Sequence, residues 1–329
     1  MYTADPSRYD SMTYPYCGKS GLKLPLLSLG LWHNFGDNGD YENMKRMCFT
    51  AFDHGITHFD LANNYGPPGG AAERRFGKIV REEMRAHRDE MIISTKAGHH
   101  MWEGPYGDWG SRKYLLASLD QSLERLGLDY VDIFYHHRMD PNTPLEESLL
   151  ALDTAVKSGR ALYAGISRYD AETMARAVKF MRELKCPFII HQCRYSLLDR
   201  SMEANGVKQR TREEGLGMIT YSPLAQGLLT DRYMNGIPDD SRIRKDGRFL
   251  KESDITPEKL SRLAALRQIA AERGQTLSQM ALSWILRDGD VTSVLIGASR
   301  PEQILENLKT VGAAPFTAEE LDAIDALTL

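Results

Sequence analysis

The sequence predicts an α/β protein whose fold class is a closed (β/α)8 barrel, the TIM barrel. Short apolar runs rich in β-branched and aromatic residues alternate with longer helical patterns along the whole chain, as in proteins built from parallel strands and crossover helices. Eight such units fit within 329 residues. Eight strand–helix repeats in a chain of this size favour a closed barrel over an open sheet. We predict a single domain that spans residues 1–329.

The strands and helices follow one another in regular order, with glycine, proline and polar residues between them. The predicted strands are residues 27–30, 57–61, 91–96, 131–136, 161–167, 188–192, 217–222 and 291–297. The predicted helices are residues 41–54, 72–84, 111–126, 144–158, 170–184, 199–214, the pair 258–273 and 276–287, and 301–311.

Two segments fall outside this repeat. Residues 13–26 precede the first strand and carry Gly18, Gly21 and Pro25, so they predict a short N-terminal β-hairpin that closes the barrel floor. Residues 225–255 are mixed in charge and contain several glycines. Loops of this length are usually lids or binding elements, so we expect this segment to add extra helices or loops near the C-terminal face of the barrel.

Composition and charge exclude several classes of protein. The net charge of −4 is spread along the chain, so a nucleic-acid partner is not expected. No apolar stretch reaches the length of about 18 residues that a membrane span needs, and the N-terminus lacks the basic start and apolar run of a secretion signal. Four cysteines without a CxxC pair indicate a cytoplasmic protein with reduced thiols.

Polar side chains stand where the second, third and fourth strands end, which is where a barrel of this kind gathers its reactive groups. Asp60 closes the second strand, Tyr65 lies just beyond it, Lys96 ends the third, and the pair His136 and His137 ends the fourth. Taken singly, each residue has an ordinary structural explanation, such as an ion pair between Asp60 and Lys96. Their joint placement is what predicts a site.

Strand alternation separates the two histidines. His137 has the same parity as Val131, Ile133 and Tyr135, whereas His136 has the opposite parity. Side chains of one parity point to one face of a strand. If the first set faces the barrel axis, His137 is the histidine in the site.

The four residue types suit the reduction of a carbonyl group. A tyrosine with an ordinary pKa of about 10 is a weak acid at neutral pH, and a nearby ammonium lowers its pKa and eases proton donation. Lys96 is the candidate ammonium for Tyr65, and Asp60 would keep that lysine charged. His137 would hydrogen-bond the substrate carbonyl oxygen and orient it toward Tyr65.

Several long motifs occur in one order over nearly the whole chain: GITHFDLANNYGPP, STKAG, LDYVDIFYHHR, TYSPLAQGLLT and VLIGASRPEQILEN. In these motifs the chain resembles the aldo-keto reductase superfamily, and within it the bacterial L-glyceraldehyde 3-phosphate reductases and the potassium-channel β subunits. The resemblance implies that Asp60, Tyr65, Lys96 and His137 form a catalytic tetrad. Channel β subunits generally carry asparagine where this chain has His137, which favours an enzyme.

The resemblance also implies a nicotinamide cofactor. No GxGxxG motif with Rossmann spacing is present, so other loops must hold a dinucleotide. Ser167, Arg168 and Gln192 would bind the nicotinamide carboxamide and Tyr221 would stack on its ring, with Arg168 in place of the asparagine common in the superfamily. The residues that would contact the pyrophosphate are Ser222, Pro223, Leu224, Gln226 and Gly227.

A phosphate site is predicted at the start of the last barrel helix. Pro301 suits a first helical turn, and the residues before it present free N–H groups that attract phosphate. Arg300 adds a positive charge that can pair with a 2′-phosphate, whereas an NAD site more often offers a carboxylate to the ribose, so NADPH is the preferred cofactor. Ser299 and Gln303 would assist at this phosphate, and Gly297 is a further predicted cofactor contact. The resemblance implies that Glu306 and Asn307 contact the adenine.

Aromatic residues after the first and third strands predict the substrate pocket. Trp32 and Trp102 would wall it together with Tyr65 and His137, and Trp32 would also lie against the cofactor. Such walls fit a small aldehyde, and the resemblance suggests L-glyceraldehyde 3-phosphate and methylglyoxal. The arginines that would meet a substrate phosphate are Arg138 or Arg112.

Two other classes remain as alternatives. A metal hydrolase would use the pairs at 99–100 and 136–137, but neighbouring residues of a strand point to opposite faces and no HExxH motif is present, so we expect no metal. A non-catalytic NADPH-binding redox sensor would resemble the channel β subunits, and His137 argues against it. The resemblance also suggests a homo-oligomer, either a tetramer or an octamer.

Overall fold

Eight parallel strands close into a barrel in the computed structural model, which describes residues 2–233, 236–239, 241–245, 247 and 250–329. The strands pair in sequence order, and the last pairs with the first. They are β1 (Leu27–Gly30), β2 (His58–Asp60), β3 (Ile92–Ala97), β4 (Val131–His136), β5 (Ala161–Ser167), β6 (Phe188–Arg194), β7 (Gly217–Tyr221) and β8 (Ser293–Ile296). All eight lie at the predicted positions, so the predicted (β/α)8 fold is confirmed.

Helices surround this barrel and cover the outward faces of the strands. Several begin where sequence chemistry favours a start, because Asp40, Ser111 and Asp170 each accept a hydrogen bond from a backbone N–H of the first turn. Among the described residues no helix is long and apolar enough to cross a membrane. The helices are α1 (Tyr41–Asp53), α2 (Ala71–Ile79), α3 (Arg112–Leu126), α4 (Leu145–Lys157), α5 (Ala171–Glu183), α6 (Ser201–Ala204), α7 (Val207–Glu213), α8 (Arg242–Lys245), α9 (Pro257–Glu272), α10 (Leu277–Leu286), α11 (Pro301–Leu308) and α12 (Ala318–Thr328).

The N-terminal hairpin closes the barrel floor, as predicted. Tyr16 and Lys23 form an antiparallel bridge. The next residue after each of them, Cys17 and Leu24, is fully buried and packs on Ile190 and the other apolar side chains of the barrel interior. Burial of these side chains fixes the hairpin under the strands, so the opposite, C-terminal end of the barrel is the open one.

The prediction of one helix over residues 199–214 is wrong. The segment forms α6 and α7, which are separated at Gly206 with a φ of 75°. Glycine adopts this left-handed conformation at no steric cost, and it ends the first helix. The predicted loop 225–255 contains three short 3-10 turns and α8, and its residues 234, 235, 240, 246, 248 and 249 lie outside the described residues.

Helix α12 was not predicted, although its sequence signal is present. Thr317 accepts a hydrogen bond from the backbone of Glu320, whose side chain in turn accepts one from Thr317 N–H, which is a capping box. An ion pair of 2.6 Å between Arg200 and Asp325 ties the helix to the barrel. A second ion pair joins Arg273 to Glu320.

Candidate active site

Asp60, Lys96 and Tyr65 meet at the C-terminal end of the barrel. Asp60 ends β2 and Lys96 lies near the end of β3. Lys96 Nζ donates to Asp60 Oδ2 at 2.5 Å and to the backbone oxygen of Leu61 at 2.5 Å. The Tyr65 hydroxyl lies 3.4 Å from the same nitrogen. Because Lys96 is fully buried and Asp60 nearly so, the ion pair is shielded from water and its geometry is tightly constrained.

His137 lies beside Tyr65, with its ring edge-on and the two ring centroids 6.0 Å apart. Ile133 and Tyr135, which share its parity, belong to the cluster inside the barrel. His136 points the other way, where its Nδ1 is hydrogen-bonded to the hydroxyl of Tyr169 at 2.6 Å. The structure thus places His137 and not His136 in the group, as strand alternation predicts.

The pKa of Tyr65 is raised, in contrast to the prediction from the sequence. Burial raises it well above the usual value for a phenol, and the nearby Asp60 carboxylate raises it further, while Arg168 lowers it. Burial also lowers the pKa of Lys96, against the opposing effect of Asp60. The expected acidification of the phenol by Lys96 is therefore wrong, because burial outweighs the neighbouring charge. Tyr65 is fully protonated at neutral pH.

His137 is a neutral imidazole. Burial lowers its pKa well below the usual value, and Lys96 and His99 lower it further. Its Nδ1 is buried and has no hydrogen-bond partner among the described residues. A neutral ring carries one N–H, which we assign to Nε2. His137 can therefore donate one hydrogen bond to an oxygen atom placed beside Tyr65.

A second group of predicted residues lies at the ends of β5, β6 and β7. Ser167 is buried, and its hydroxyl has no partner among the described residues. Gln192 Nε2 donates to Asp60 Oδ1 at 3.2 Å, so this residue also touches the ion pair. Arg168 has a φ of 62°, and Tyr221 is half-buried at the end of β7. The group adjoins the first one along the same rim.

The segment after β7 has an unusual backbone. Ser222, Ala225 and Gln226 take φ values of 56°, 46° and 62°, although none of them is glycine, and Gly227 follows with 96°. Such conformations are sparsely populated and cluster at functional sites. A right-handed residue followed by a left-handed one is the start of an anion-binding nest, and here Leu224 with a φ of −100° precedes Ala225. The N–H groups of Ala225 and Gly227 donate within the turn, to the backbone oxygens of Ser222 and Leu224. This segment holds all five residues predicted to contact a pyrophosphate: Ser222, Pro223, Leu224, Gln226 and Gly227.

The N-terminus of α11 is exposed at the rim. Pro301 occupies its first turn, as predicted, and Arg300 precedes it. The Arg300 side chain is 58% exposed and approaches Glu302 only to 3.6 Å. Ser299 donates through its N–H at 2.8 Å and its hydroxyl at 3.2 Å to Gln303 Oε1. Of the residues predicted to bind the phosphate, Arg300 thus makes the weakest contacts with its neighbours.

The remaining predicted contacts lie before and along α11. Gly297 is exposed just after β8, and Asn307 is buried in the helix. Glu306 accepts a hydrogen bond from Gln279 at 2.7 Å and pairs with Lys309 at 2.9 Å. The carboxylate of Glu306 is therefore held by two neighbouring side chains, while the Glu306 side chain is 35% exposed.

Of the two predicted aromatic walls, Trp32 lies close to the tetrad and Trp102 lies farther along a loop. The ring centroids of Trp32 and Tyr65 are 6.3 Å apart. Trp102 packs on Tyr114, with 5.1 Å between centroids, and the Tyr114 hydroxyl donates to the backbone oxygen of His99. Among the described ring contacts Trp102 has none with Tyr65, and it packs instead on α3 through Tyr114.

A model of the Aldo/keto reductase family matches residues 26–328. The chain belongs to the aldo-keto reductase family. It is 56% identical to L-glyceraldehyde 3-phosphate reductase of Escherichia coli K12, over 99% of this chain and 95% of the relative. It is 37% identical to a probable voltage-gated potassium channel subunit beta of Arabidopsis thaliana, over 95% and 96% of the two chains. The resemblance inferred from the motifs is confirmed.

A solved structure has the same fold. An aldo-keto reductase from Bacillus halodurans, in its holo form, superposes with a TM-score of 0.76 at 26% identity and covers 97% of both chains. This chain is therefore an oxidoreductase of the aldo-keto reductase type, built on the barrel of that family.

Aldo-keto reductases use nicotinamide cofactors, and the residues of this reductase fit such a group. The unpartnered Ser167 hydroxyl, the half-buried ring of Tyr221 and the left-handed backbone at 222–227 lie at the ends of adjacent strands. They offer a polar contact, a stacking face and a left-handed turn of the kind found at anion sites. Among the described residues no group of three or more His, Cys, Asp or Glu side chains is arranged to hold a metal ion.

Sequence reasoning missed a buried column of polar residues beneath the tetrad of this reductase. Ser293 and Ser28 are hydrogen-bonded at 2.6 Å, and His58 bonds Ser28 at 2.9 Å and Ser94 at 3.0 Å. Ser94 then donates to Asp60 Oδ1 at 2.7 Å. Strand alternation gives the signal that was available, since His58 has the parity of Asp60. The column fixes the carboxylate that holds Lys96.

Proposed function

We propose that this aldo-keto reductase uses NADPH to reduce small aldehydes of the L-glyceraldehyde 3-phosphate and methylglyoxal type. Tyr65 would be the proton donor, with Lys96, His137 and Asp60 completing the catalytic tetrad. The observation that carries the proposal is the Tyr65 hydroxyl 3.4 Å from Lys96 Nζ, with the neutral ring of His137 beside it. The 56% identity to a reductase of that name supports the substrate class.

Ser167, Gln192 and Tyr221 would hold the nicotinamide, whose chemistry when bound would be to supply a hydride to the carbonyl carbon. His137 donates a hydrogen bond to the carbonyl oxygen and aligns it with Tyr65. As negative charge develops on that oxygen, Tyr65 gives it the phenolic proton. Lys96 then stabilises the phenolate, and Asp60 keeps the lysine in place through the 2.5 Å ion pair.

A raised pKa of Tyr65 is consistent with this role. A phenol with a raised pKa keeps its proton at neutral pH, so the donor is always loaded. The acceptor is an oxygen that takes on alkoxide character, and an alkoxide is more basic than an ordinary phenolate. The site is therefore built to deliver the proton late, to developing charge on oxygen.

NADPH is proposed over NADH because of Arg300. Its exposed guanidinium stands at the N-terminus of α11 and pairs only loosely with Glu302. Charge-assisted, paired hydrogen bonds to a phosphate are what a guanidinium makes best. Ser299 and Gln303 would assist, and Glu306 and Asn307 would lie at the adenine.

The test is a substrate panel with Tyr65→Phe and Tyr16→Phe, a matched change on the exposed hairpin tyrosine. We expect Tyr65→Phe to lose nearly all consumption of NADPH with methylglyoxal and L-glyceraldehyde 3-phosphate, while its affinity for NADPH is kept. Tyr16→Phe should behave as wild type. Full activity of Tyr65→Phe would show that another group supplies the proton.

A regulatory protein is the second candidate, because the chain is 37% identical to a probable potassium channel subunit beta. It would bind NADPH as a redox sensor without turning over aldehydes. His137 beside Tyr65 favours the enzyme. Tight binding of NADPH by the pure protein, with no aldehyde of the panel reduced, would favour the regulator.

We also propose that the protein is a single domain that acts in the cytoplasm as a homo-oligomer, either a tetramer or an octamer. The four cysteines are buried and free, which suits a reducing compartment. Light scattering with the pure protein measures the number of subunits.

A further inference from the structure

Arg138 follows His137 and holds both ends of the pocket loop, which we define as the chain between β3 and α3. Its Nε donates to Gly98 O at 2.6 Å, at the start of the loop. Its Nη2 donates to Asp108 Oδ1 at 2.7 Å, near the end of the loop. The guanidinium carbon also lies 3.7 Å from the centroid of the Trp109 ring. One cation therefore spans the whole pocket loop.

This guanidinium lies close to the tetrad. Gly98, which accepts its hydrogen bond, directly precedes His99, and the His99 ring stands edge-on to His137 with 4.5 Å between centroids. After burial, Arg138 is the largest influence that lowers the pKa of His99. Arg138 is thus linked to the proposed carbonyl site through Gly98 and the rings of His99 and His137.

The guanidinium still has donors to offer. Arginine has five N–H donors, and Nη1 of Arg138 makes no hydrogen bond with any described residue. The side chains of Arg138 and Asp108 are 25% and 28% exposed, so a solute can reach the pair. Arg138 and Arg168 lower the pKa of His99 and Asp108 raises it, while the charge of Lys96 is balanced by its ion pair with Asp60. This side of the pocket is therefore positive.

We propose that Arg138 binds an anionic group on the substrate, a phosphomonoester or a carboxylate, and that this group replaces Asp108 on the guanidinium. The inference rests on the proposed aldehyde reduction and adds a substrate class to it. A guanidinium matches both oxyanions because its planar donors form paired hydrogen bonds with them. Substrates with an anion beyond the carbonyl are thereby preferred over neutral aldehydes.

The other candidate arginine does not share these properties. Arg112 Nη1 donates to Leu150 O at 3.0 Å and to Thr154 Oγ1 at 2.9 Å, both on α4. Arg112 therefore faces the helical layer outside the barrel. This makes Arg112→Met a matched control for Arg138→Met.

The experiment compares KM for L-glyceraldehyde 3-phosphate with KM for neutral L-glyceraldehyde. In Arg138→Met we expect KM to rise roughly tenfold or more for the phosphate, from the loss of charged hydrogen bonds, and less than about twofold for the neutral aldehyde. Asp108→Asn removes the competing carboxylate and should lower KM for the phosphate. Arg112→Met should change neither. An equal rise for both substrates in Arg138→Met would mean that the residue only holds the loop, and would overturn the proposal.

Two further measurements keep the inference testable. Succinic semialdehyde, which carries a carboxylate, identifies the anion. If its KM in Arg138→Met also rises tenfold, Arg138 binds carboxylates as well as phosphates. If Arg138→Met does not fold, Asp108→Asn decides, and an unchanged KM for the phosphate rejects the proposal.

Calorimetry with inorganic phosphate separates this inference from the proposed function. The wild type should bind phosphate more tightly than Arg138→Met, and the contribution of Arg300 is common to both proteins. An inactive wild type with this difference would reject aldehyde reduction and keep the anion site. An active wild type that binds phosphate no more tightly than Arg138→Met would keep aldehyde reduction and reject the anion site.

Discussion

The barrel axis and the rim at α11 differ in how firmly the chain holds its functional side chains. At the axis, Lys96 and Asp60 are buried, paired at 2.5 Å and bonded to further buried groups. At the rim, the Arg300 side chain is 58% exposed, and its nearest carboxylate oxygen is 3.6 Å away. Both regions stand at the same end of one barrel, yet the Arg300 guanidinium, unlike the Lys96 ammonium, makes no hydrogen bond with the described residues.

This difference indicates which part of the reaction each region serves. Charge that develops in a transition state is stabilised best by groups that need no rearrangement, and the axis provides them. A phosphate arrives from water, so the rim needs an accessible cation more than a rigid one. Changes at the axis should therefore affect folding and turnover together, and changes at the rim should affect cofactor binding alone.

The largest effect is expected for Lys96→Met. The substitution leaves the Asp60 carboxylate buried without its cation, which costs about 3–5 kcal/mol of unfolding free energy. It also removes the charge that stabilises the Tyr65 phenolate, so kcat should fall about a thousandfold. Urea unfolding and steady-state kinetics measure the two effects.

The control for this change is Lys179→Met, because Lys179 is exposed on α5. It should leave both stability and kcat unchanged. A Lys96→Met protein that loses turnover while its stability is that of wild type would contradict the coupling of folding and chemistry at the axis.

The next effect is a loss of stability in mild acid, caused by buried neutral histidines. Burial lowers the pKa of His58 and of His136 to about 4 and that of His191 to about 3. In the unfolded chain a histidine pKa is about 6.5, so between pH 6.5 and 4 the unfolded state binds more protons. Stability is thus complete above pH 6.5 and falls as the pH drops toward 4, by several kcal/mol in order of magnitude.

The urea midpoint as a function of pH measures this loss. His58→Asn should reduce the slope between pH 6.5 and 4, because one of the buried neutral rings is gone. The matched control His54→Asn, at an exposed ring, should leave it unchanged. A midpoint that stays constant from pH 7 to 5 would mean that these rings are not held neutral by burial.

At the barrel axis, the sequence predicted where the site residues lie but not the direction of the Tyr65 pKa shift. The positions of Asp60, Lys96 and His137 follow from strand ends and parity, which are local properties of a sequence. The sign of the Tyr65 pKa shift does not, because burial and charge oppose each other and only coordinates show that burial is larger. The hydrogen bonds of His58 also join separate strands. The sequence alone therefore predicts which face of its strand His58 occupies, but not which residues it bonds.

At the rim, the sequence predicted the start of a helix but not the backbone conformation of the loop after β7. Pro301 after Arg300 predicts the start of α11 correctly, because proline has a clear preference for a first turn. The positive φ values of Ser222 and Gln226 have no such signal, since neither is glycine and tertiary packing must impose them. Helix α12 is a different case, because the capping box at Thr317 was available in the sequence.

The smallest effect is expected at the rim, for Arg300→Ala. Loss of one guanidinium that pairs with a 2′-phosphate should raise KM for NADPH roughly tenfold, while KM for NADH, kcat and the urea midpoint stay near their wild-type values. Glu302→Gln is the control, and by freeing Arg300 from its 3.6 Å neighbour it should lower KM for NADPH slightly. An equal rise for NADPH and NADH would remove the assignment of Arg300 to the phosphate. A loss of stability in Arg300→Ala would break the contrast itself, because it would mean that the rim, like the axis, is part of what holds the barrel together.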